Sequence, residues 1–229
     1  IQIFNNLSAD FKNYADADVE YSYNKNGALT KDLNKGITDI QYNLLNLPSE
    51  INISTPFTVG CTKYLYAANG MKLRVSHNND PGLLNIPLMG TDQYYRSNLS
   101  DGSVTDFVGN LVYEDNTLKR ILIDGGYIEN GTYYFFLTDH LGSIRVVADA
   151  SGSVVQRNHF YPFGLSFADN ENPETQPYKF NGKELDLFHG LNWYGYLARG
   201  MDPAAGRFTA IDPLCEKYFA LSPYVFCAN

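Results

Sequence analysis

Tyr21-Ser22-Tyr23-Asn24-Lys25-Asn26-Gly27 and Tyr64-Leu65-Tyr66-Ala67-Ala68-Asn69-Gly70 are two copies of one pattern, with both tyrosines, the asparagine and the glycine in register 43 positions apart. In the first copy Val19, Tyr21 and Tyr23 alternate with Glu20 and Ser22, the two-residue period of a half-buried strand. Asn26-Gly27 then supplies the φ > 0 positions that a tight hairpin requires. After Asn69-Gly70, Met71, Leu73 and Val75 alternate with Lys72 and Arg74, which reads as a returning hairpin arm. Between the copies, Ile40, Tyr42 and Leu44 alternate with Gln41 and Asn43. The pattern is a strand-turn-strand unit of about 20 residues, too small to fold alone and stable only when its face is buried on its neighbours.

The same grammar continues through Asp101-Gly102, Asp124-Gly125-Gly126, Asn130-Gly131 and Ser151-Gly152, each between apolar or aromatic runs. It stops near residue 165. Asp169-Asn170-Glu171-Asn172-Pro173-Glu174 is a polar loop, and Asn181-Gly182-Lys183-Glu184-Leu185-Asp186 and Ala204-Ala205-Gly206-Arg207-Phe208 read as turns and short helical pieces. The expected fold is therefore all-β: antiparallel repeats forming a curved sheet or spiral strip over residues 1–164, then a small irregular, partly helical cap over 165–229. Tyr and Phe are expected to fill the strip's inward face, with the glycine turns setting hairpin register.

Composition agrees. The chain has 229 residues, 44% hydrophobic, with 18 Tyr and 14 Phe against one Trp, a balance that suits pleated surfaces. A net charge of −8 argues against nucleic acid and anionic lipid as partners. The short basic groupings, Lys119-Arg120 and Lys179 near Lys183, read as solvated strand faces or turns. No stretch reaches the roughly 20 apolar residues of a membrane span, and the start lacks the order of a signal peptide. Ile1-Gln2-Ile3-Phe4 and Tyr224-Val225-Phe226-Cys227-Ala228-Asn229 read as the interior of a longer chain whose first strand leaves an open edge. Cys61, Cys215 and Cys227 form no CxxC pair; a Cys215–Cys227 disulfide and buried free thiols both stay open.

The first half resembles YD repeats, carried by Tyr21-x-Tyr23-Asn24-x-Asn26-Gly27 and Tyr64-x-Tyr66-x-x-Asn69-Gly70. From Tyr134 onward the chain is similar to the Rhs repeat-associated core: Leu137-Thr138-Asp139-His140-Leu141-Gly142-Ser143, Tyr161-Pro162-Phe163-Gly164, and Tyr178-x-Phe180-Asn181-Gly182-Lys183-Glu184. The match continues through Arg199-x-Met201-Asp202-Pro203-x-x-Gly206-Arg207-Phe208 to Asp212-Pro213 and Ser222-Pro223-Tyr224. The variant at residues 158–164 looks most like proteins of Bacteroides-type bacteria. The resemblance implies a secreted or cell-surface protein whose β strip spirals into a hollow shell, with the core domain plugging one end and a variable domain, often a toxin, following it. The implied partners are the rest of the same polypeptide and, in an alternative reading, surface glycans; no cofactor is implied.

The family resemblance also implies a test for chemistry. Many Rhs proteins release the C-terminal domain by aspartate-mediated self-cleavage, in which paired carboxyls divide acid and base roles. Asp212-Pro213-Leu214-Cys215 carries Cys where that motif has Gly, and Asp202 lies ten residues upstream; both Asp-Pro steps also read as turn initiators, and this chain is expected to be inert. Asp139, His140 and Ser143 share the residue types of a triad, but neighbours on one turn point apart; Asp139 reads as an Asx-turn former, His140 as a packed turn residue and Gly142 as a φ > 0 position. Gly164-Leu165-Ser166-Phe167-Ala168 lacks the second glycine of a nucleophile elbow. His77, His159 and His189 share no ligand spacing, so no metal is expected. Tyr133-Tyr134-Phe135-Phe136 would stack on sugars if a face is exposed and pack into the core if it is covered; Tyr133 and Tyr134 are the candidates. Arg199 and Arg207, beside Asp202 and Asp212, are expected to form a buried polar cluster that fixes the cap.

Overall fold

The computed structural model describes residues 11–79, 102–166 and 175–227. Ile1–Phe4, Asp101, Phe167–Glu174 and the final Ala228-Asn229, on which some sequence expectations rest, lie outside them.

Thirteen strands form one antiparallel meander in strict chain order. They are β1 (Tyr21–Tyr23), β2 (Leu29–Asp32), β3 (Ile37–Tyr42), β4 (Pro48–Ser54), β5 (Val59–Tyr66), β6 (Lys72–Asn79) and β7 (Ser103–Val108). After these come β8 (Leu111–Glu114), β9 (Thr117–Ile123), β10 (Gly126–Glu129), β11 (Thr132–Thr138), β12 (Ile144–Asp149) and β13 (Val154–Arg157). A second antiparallel sheet follows, β14 (Leu185–Asp186), β15 (Trp193–Tyr196), β16 (Arg199–Asp202) and β17 (Arg207–Phe208), also in chain order. Among the described residues the only helical pieces are three-residue 3-10 turns.

One five-residue turn recurs. Asn24 accepts from the amides of Asn26 and Ala28 through Oδ1, both at 2.9 Å, while Gly27, at φ 68°, donates to the Asn24 carbonyl. Asn43, Asp139 and Asp149 repeat this arrangement, with Asn46, Gly142 and Gly152 at the left-handed position. The Asn26-Gly27 turn thus differs from the two-residue hairpin expected from its sequence. Asn26 is not left-handed, and the Asn24 side chain supplies the acceptor that lets the loop be longer. Asn130-Gly131 does form the two-residue loop, with φ of 50° and 77°.

The buried hydrophobic positions of the early strands are aliphatic. Leu29, Ile37, Ile40, Ile51 and Ile53 cluster with Leu191 and Trp193, while Tyr21, Tyr42 and Tyr64 pack at the margin. Full burial of each such side chain stabilises by roughly 1.5–3 kcal/mol. Aromatics dominate elsewhere, with Phe180, Tyr194, Phe208 and Phe226 in the cap and Tyr127 under β12. The expectation that Tyr and Phe fill the inward face holds only in part: in the later strands Tyr127 is buried together with Ile144 and Val147, and in the earlier ones isoleucine takes the buried positions because a β-branched side chain packs well on a pleated surface.

Candidate functional site: the seam between strip and cap

The cap lies against one face of the strip and touches strands at both ends of it. At one end the Ile144 amide donates to the Lys179 carbonyl (3.0 Å), and the Asn181 amide donates to Ser143 Oγ (3.1 Å). At the other, the Leu29 amide donates to the Thr209 carbonyl (2.9 Å), and the Tyr224 hydroxyl donates to the Gly27 carbonyl (2.8 Å). β1 and β12 are eleven strands apart, about 50 Å on a flat sheet. Yet Phe180, beside β12, and Phe208, beside β2, share one hydrophobic cluster. Both ends can reach that cluster only if the strip curls around the cap.

Polar pairs line the seam between these ends. The Tyr64 hydroxyl donates to Asp186 Oδ2 (2.7 Å) and Lys72 Nζ pairs with Glu184 Oε2 (2.6 Å). His77 lies flat on Phe188, ring centroids 3.6 Å apart, with Thr62 Oγ1 3.0 Å from its Nδ1; burial pushes its pKa down to about 4. His189 is lowered too, mainly by burial. A cavity of about 500 Å³ opens here between Phe107, Tyr178, Phe188 and both histidines, and a second of about 360 Å³ lies beside Tyr64, Tyr66 and Tyr196. Buried Gln176 donates to buried Gln156 (2.7 Å), and Asn158 to the Ile144 carbonyl (3.0 Å), which satisfies polar groups where the chain leaves the strip.

One member of each basic grouping read as solvated is buried instead, Arg120 and Lys179, while Lys119 and Lys183 stay partly exposed. Arg120 pairs with Glu114 and Glu129, each at 2.9 Å, and donates to the Thr175 carbonyl. Lys179 is 1% exposed, and burial brings its amine down to about 7. β9 looks amphipathic in isolation, but Arg120 on it reaches the Thr175 carbonyl across the face that the sequence assigns to water.

The expected Arg–Asp cluster is rearranged as well. Arg199 pairs with Asp212 (2.7 Å) and its guanidinium lies 3.6 Å from the Phe208 ring centroid. Arg207, although opposite Asp202 in register, leaves it and donates to the Tyr23 hydroxyl (2.6 Å) among the rings of Tyr21, Tyr23 and Tyr224. Asp202 is taken by Lys35, a partner that sequence reasoning missed, at 3.0 Å. Each Asp also accepts from its own turn, Asp202 from Ala204 and Asp212 from Leu214. Gly206 sits at φ 63° against the Phe163 ring, where a side chain has no room.

The Asp139 region does not converge on a nucleophile. Asp139 caps its turn, His140 is exposed rather than packed, and buried Ser143 receives the Asn181 amide. Tyr133 and Tyr134 point to opposite faces: Tyr134 stacks on Tyr127 (4.8 Å), while Tyr133 and Phe135 are about half exposed outside. Those two tyrosines share no platform. The cysteines are free thiols, and no group of three metal-ligating residues exists among the described residues. No described helix is long and apolar enough to cross a membrane.

A meander curled around a cap made from its own C-terminal residues defines a shell-wall segment. The Teneurin YD-shell family model matches residues 105–221, just over half of the chain, and the chain belongs to that family. Residues of Salivary gland surface protein 1 from Aedes aegypti are 39% identical over 106 positions, covering 45% of this chain and 3% of that protein. The crystal structure of TcdB2-TccC3 superposes with a TM-score of 0.66 at 15% identity, over 90% of this chain and 10% of the other. The Photorhabdus luminescens Tc holotoxin pore, carrying the TccC3 mutation D651A, gives 0.59 at 15% identity, over 83% and 9%. This chain thus spans a tenth or less of the relatives it matches.

Proposed function

We propose that this chain is a stretch of shell wall together with the plug that seals it, within a larger exported protein that encloses a C-terminal effector, and that the chain itself carries out no catalysis on a substrate. The observation that carries this reading is the cap's simultaneous grip on β1–β2 and β12, which makes an enclosing curve of a sheet that would otherwise lie open. The Rhs-like motifs and the salivary surface relative support an extracellular or cell-surface setting. The residue 158–164 variant supports a Bacteroides-type source. The test is protease protection of the effector in the purified parent protein. Protection that is lost when the seam is opened, by Ser143→Ala combined with Arg207→Ala, supports enclosure; equal digestion of intact and opened forms counts against it.

Self-cleavage belongs to the parent protein in this reading, because Asp202 and Asp212 are each held by a different basic side chain here. A discrete cleavage product from the parent, abolished by Asp212→Ala, would assign Asp212 to that step. Glycan binding is the second reading, favoured by the exposed pair Tyr133 and Phe135 on one strand face. Its test is a glycan array in which a signal must disappear in the Tyr133→Ala, Phe135→Ala double variant.

A further inference from the structure

Lys35 ends the 3-10 turn after β2, and its side chain is 4% exposed. Its Nζ lies 3.0 Å from Asp202 Oδ1 on the cap, whose side chain is 10% exposed, and donates to the Leu191 carbonyl at 3.0 Å. Leu191 belongs to the isoleucine-rich cluster, so the pair adjoins an apolar, water-poor region. The other Lys–carboxylate pair across the seam, Lys72–Glu184, is about a quarter exposed on each side. A second acid, Asp32, is 2% exposed and accepts the Lys35 amide at 3.2 Å. Burial raises its pKa, and the Asp202 charge adds to that rise while Lys35 opposes it, so Asp32 is coupled to both partners.

We propose that Lys35 and Asp202 condense into an intramolecular isopeptide bond that ties the strip covalently to the cap. Attack needs the tautomer of the pair in which the shared proton sits on Asp202 Oδ2, an amine beside a carboxylic acid. Held in contact, the amine has the high effective concentration of an intramolecular nucleophile. Nζ attacks Cγ of Asp202, and the negative charge develops on Oδ1, which already accepts from the amides of Ala204 (2.9 Å) and Ala205 (3.4 Å). The proton released by nitrogen passes to the departing hydroxyl, and Asp32, buried beside the pair and holding the Lys35 main-chain amide, carries it by way of one water. The N–Cγ bond forms, the Cγ–OH bond breaks and one water leaves; no oxidant, metal or cofactor is consumed. The product replaces a buried ion pair by a neutral amide.

The test is the intact mass of the purified, folded chain with tryptic mapping. The bonded form is lighter than its sequence by one water, yields a branched peptide joining the Lys35 and Asp202 segments, and resists cleavage after Lys35. Lys35→Arg keeps the charge but restores the full mass, and Asp32→Asn, with both bonding residues intact, slows conversion at least tenfold. Wild-type chain that melts cooperatively yet keeps its full mass after prolonged incubation overturns the proposal, as does a water loss that persists in Lys35→Arg. Conversion of Asp32→Asn at the wild-type rate overturns the proton relay.

Discussion

His77 spends the folded state pressed between Phe188 and the strip, and burial lowers its pKa from 6.5 to about 4, with Asp186 resisting and His189 and Lys72 reinforcing the drop. The unfolded chain therefore binds a proton more readily through that interval, so this contribution is complete above about pH 6.5 and is lost as pH falls towards 4. The full effect is on the order of 3 kcal/mol. Urea midpoints measured from pH 7 to pH 4.5 should fall, and His77→Gln should flatten that dependence; an unchanged slope would place the titrating group elsewhere. The turn glycines offer a second contrast. Gly142, at φ 76°, has open space where a Cβ would go, so Gly142→Ala meets only backbone strain, about 1–2 kcal/mol. Gly27, at φ 68°, has Ile211 Cδ1 in the space a Cβ would take, and Gly27→Ala adds overpacking for a total of roughly 2–5 kcal/mol. Denaturation of the two variants side by side measures the difference, which should reverse in no solvent condition that keeps the cap seated.

At the scale of elements, what the sequence discloses depends on how far apart the interacting residues are. Hairpin strands such as Met71–Val75 follow from an alternation that lies within a few residues. The left-handed glycines follow from one or two neighbours. The seam was illegible because its bonds join residues 122 positions apart at Tyr64–Asp186, 156 at Lys35–Leu191 and 184 at Arg207–Tyr23, and no local pattern encodes the pairing. Lys179 is the sharpest case: a lysine beside a polar turn looks solvated, yet it is buried where its carbonyl meets the Ile144 amide of β12. Arg207 stands opposite Asp202 in register and adjacency suggests that pairing, but β17 directs it onto the tyrosines of β1. Arg207→Ala should cost about 1–2 kcal/mol by removing one hydrogen bond and the ring contacts. Faster amide exchange at Asn24–Leu29, with exchange in β8–β11 unchanged, would locate the loss at that clasp.

Across the whole molecule, the strip and the cap are stable for each other's reasons. Among the described residues the meander runs from β1 to β13 and has a face lined by Ile37, Ile40, Ile51 and Ile53, and that face is dry because Leu191 and Trp193 cover it. The cap has strands of two to four residues, too short to hold a sheet in water, and leans on the strip for its outer contacts. The isoleucine core of the strip does not close without Leu191 and Trp193 of the cap, so unfolding should follow one cooperative transition and not two. Ending the chain after Arg157 should then leave the isoleucine face bare and the edges of β1 and β13 available for pairing. The truncated chain should bind a hydrophobic dye, lose its sharp melt and associate in a concentration-dependent manner by light scattering. A monomeric truncated strip with a cooperative melt would mean that the curl is intrinsic to the strand twist, and that the cap fills a curve it did not create.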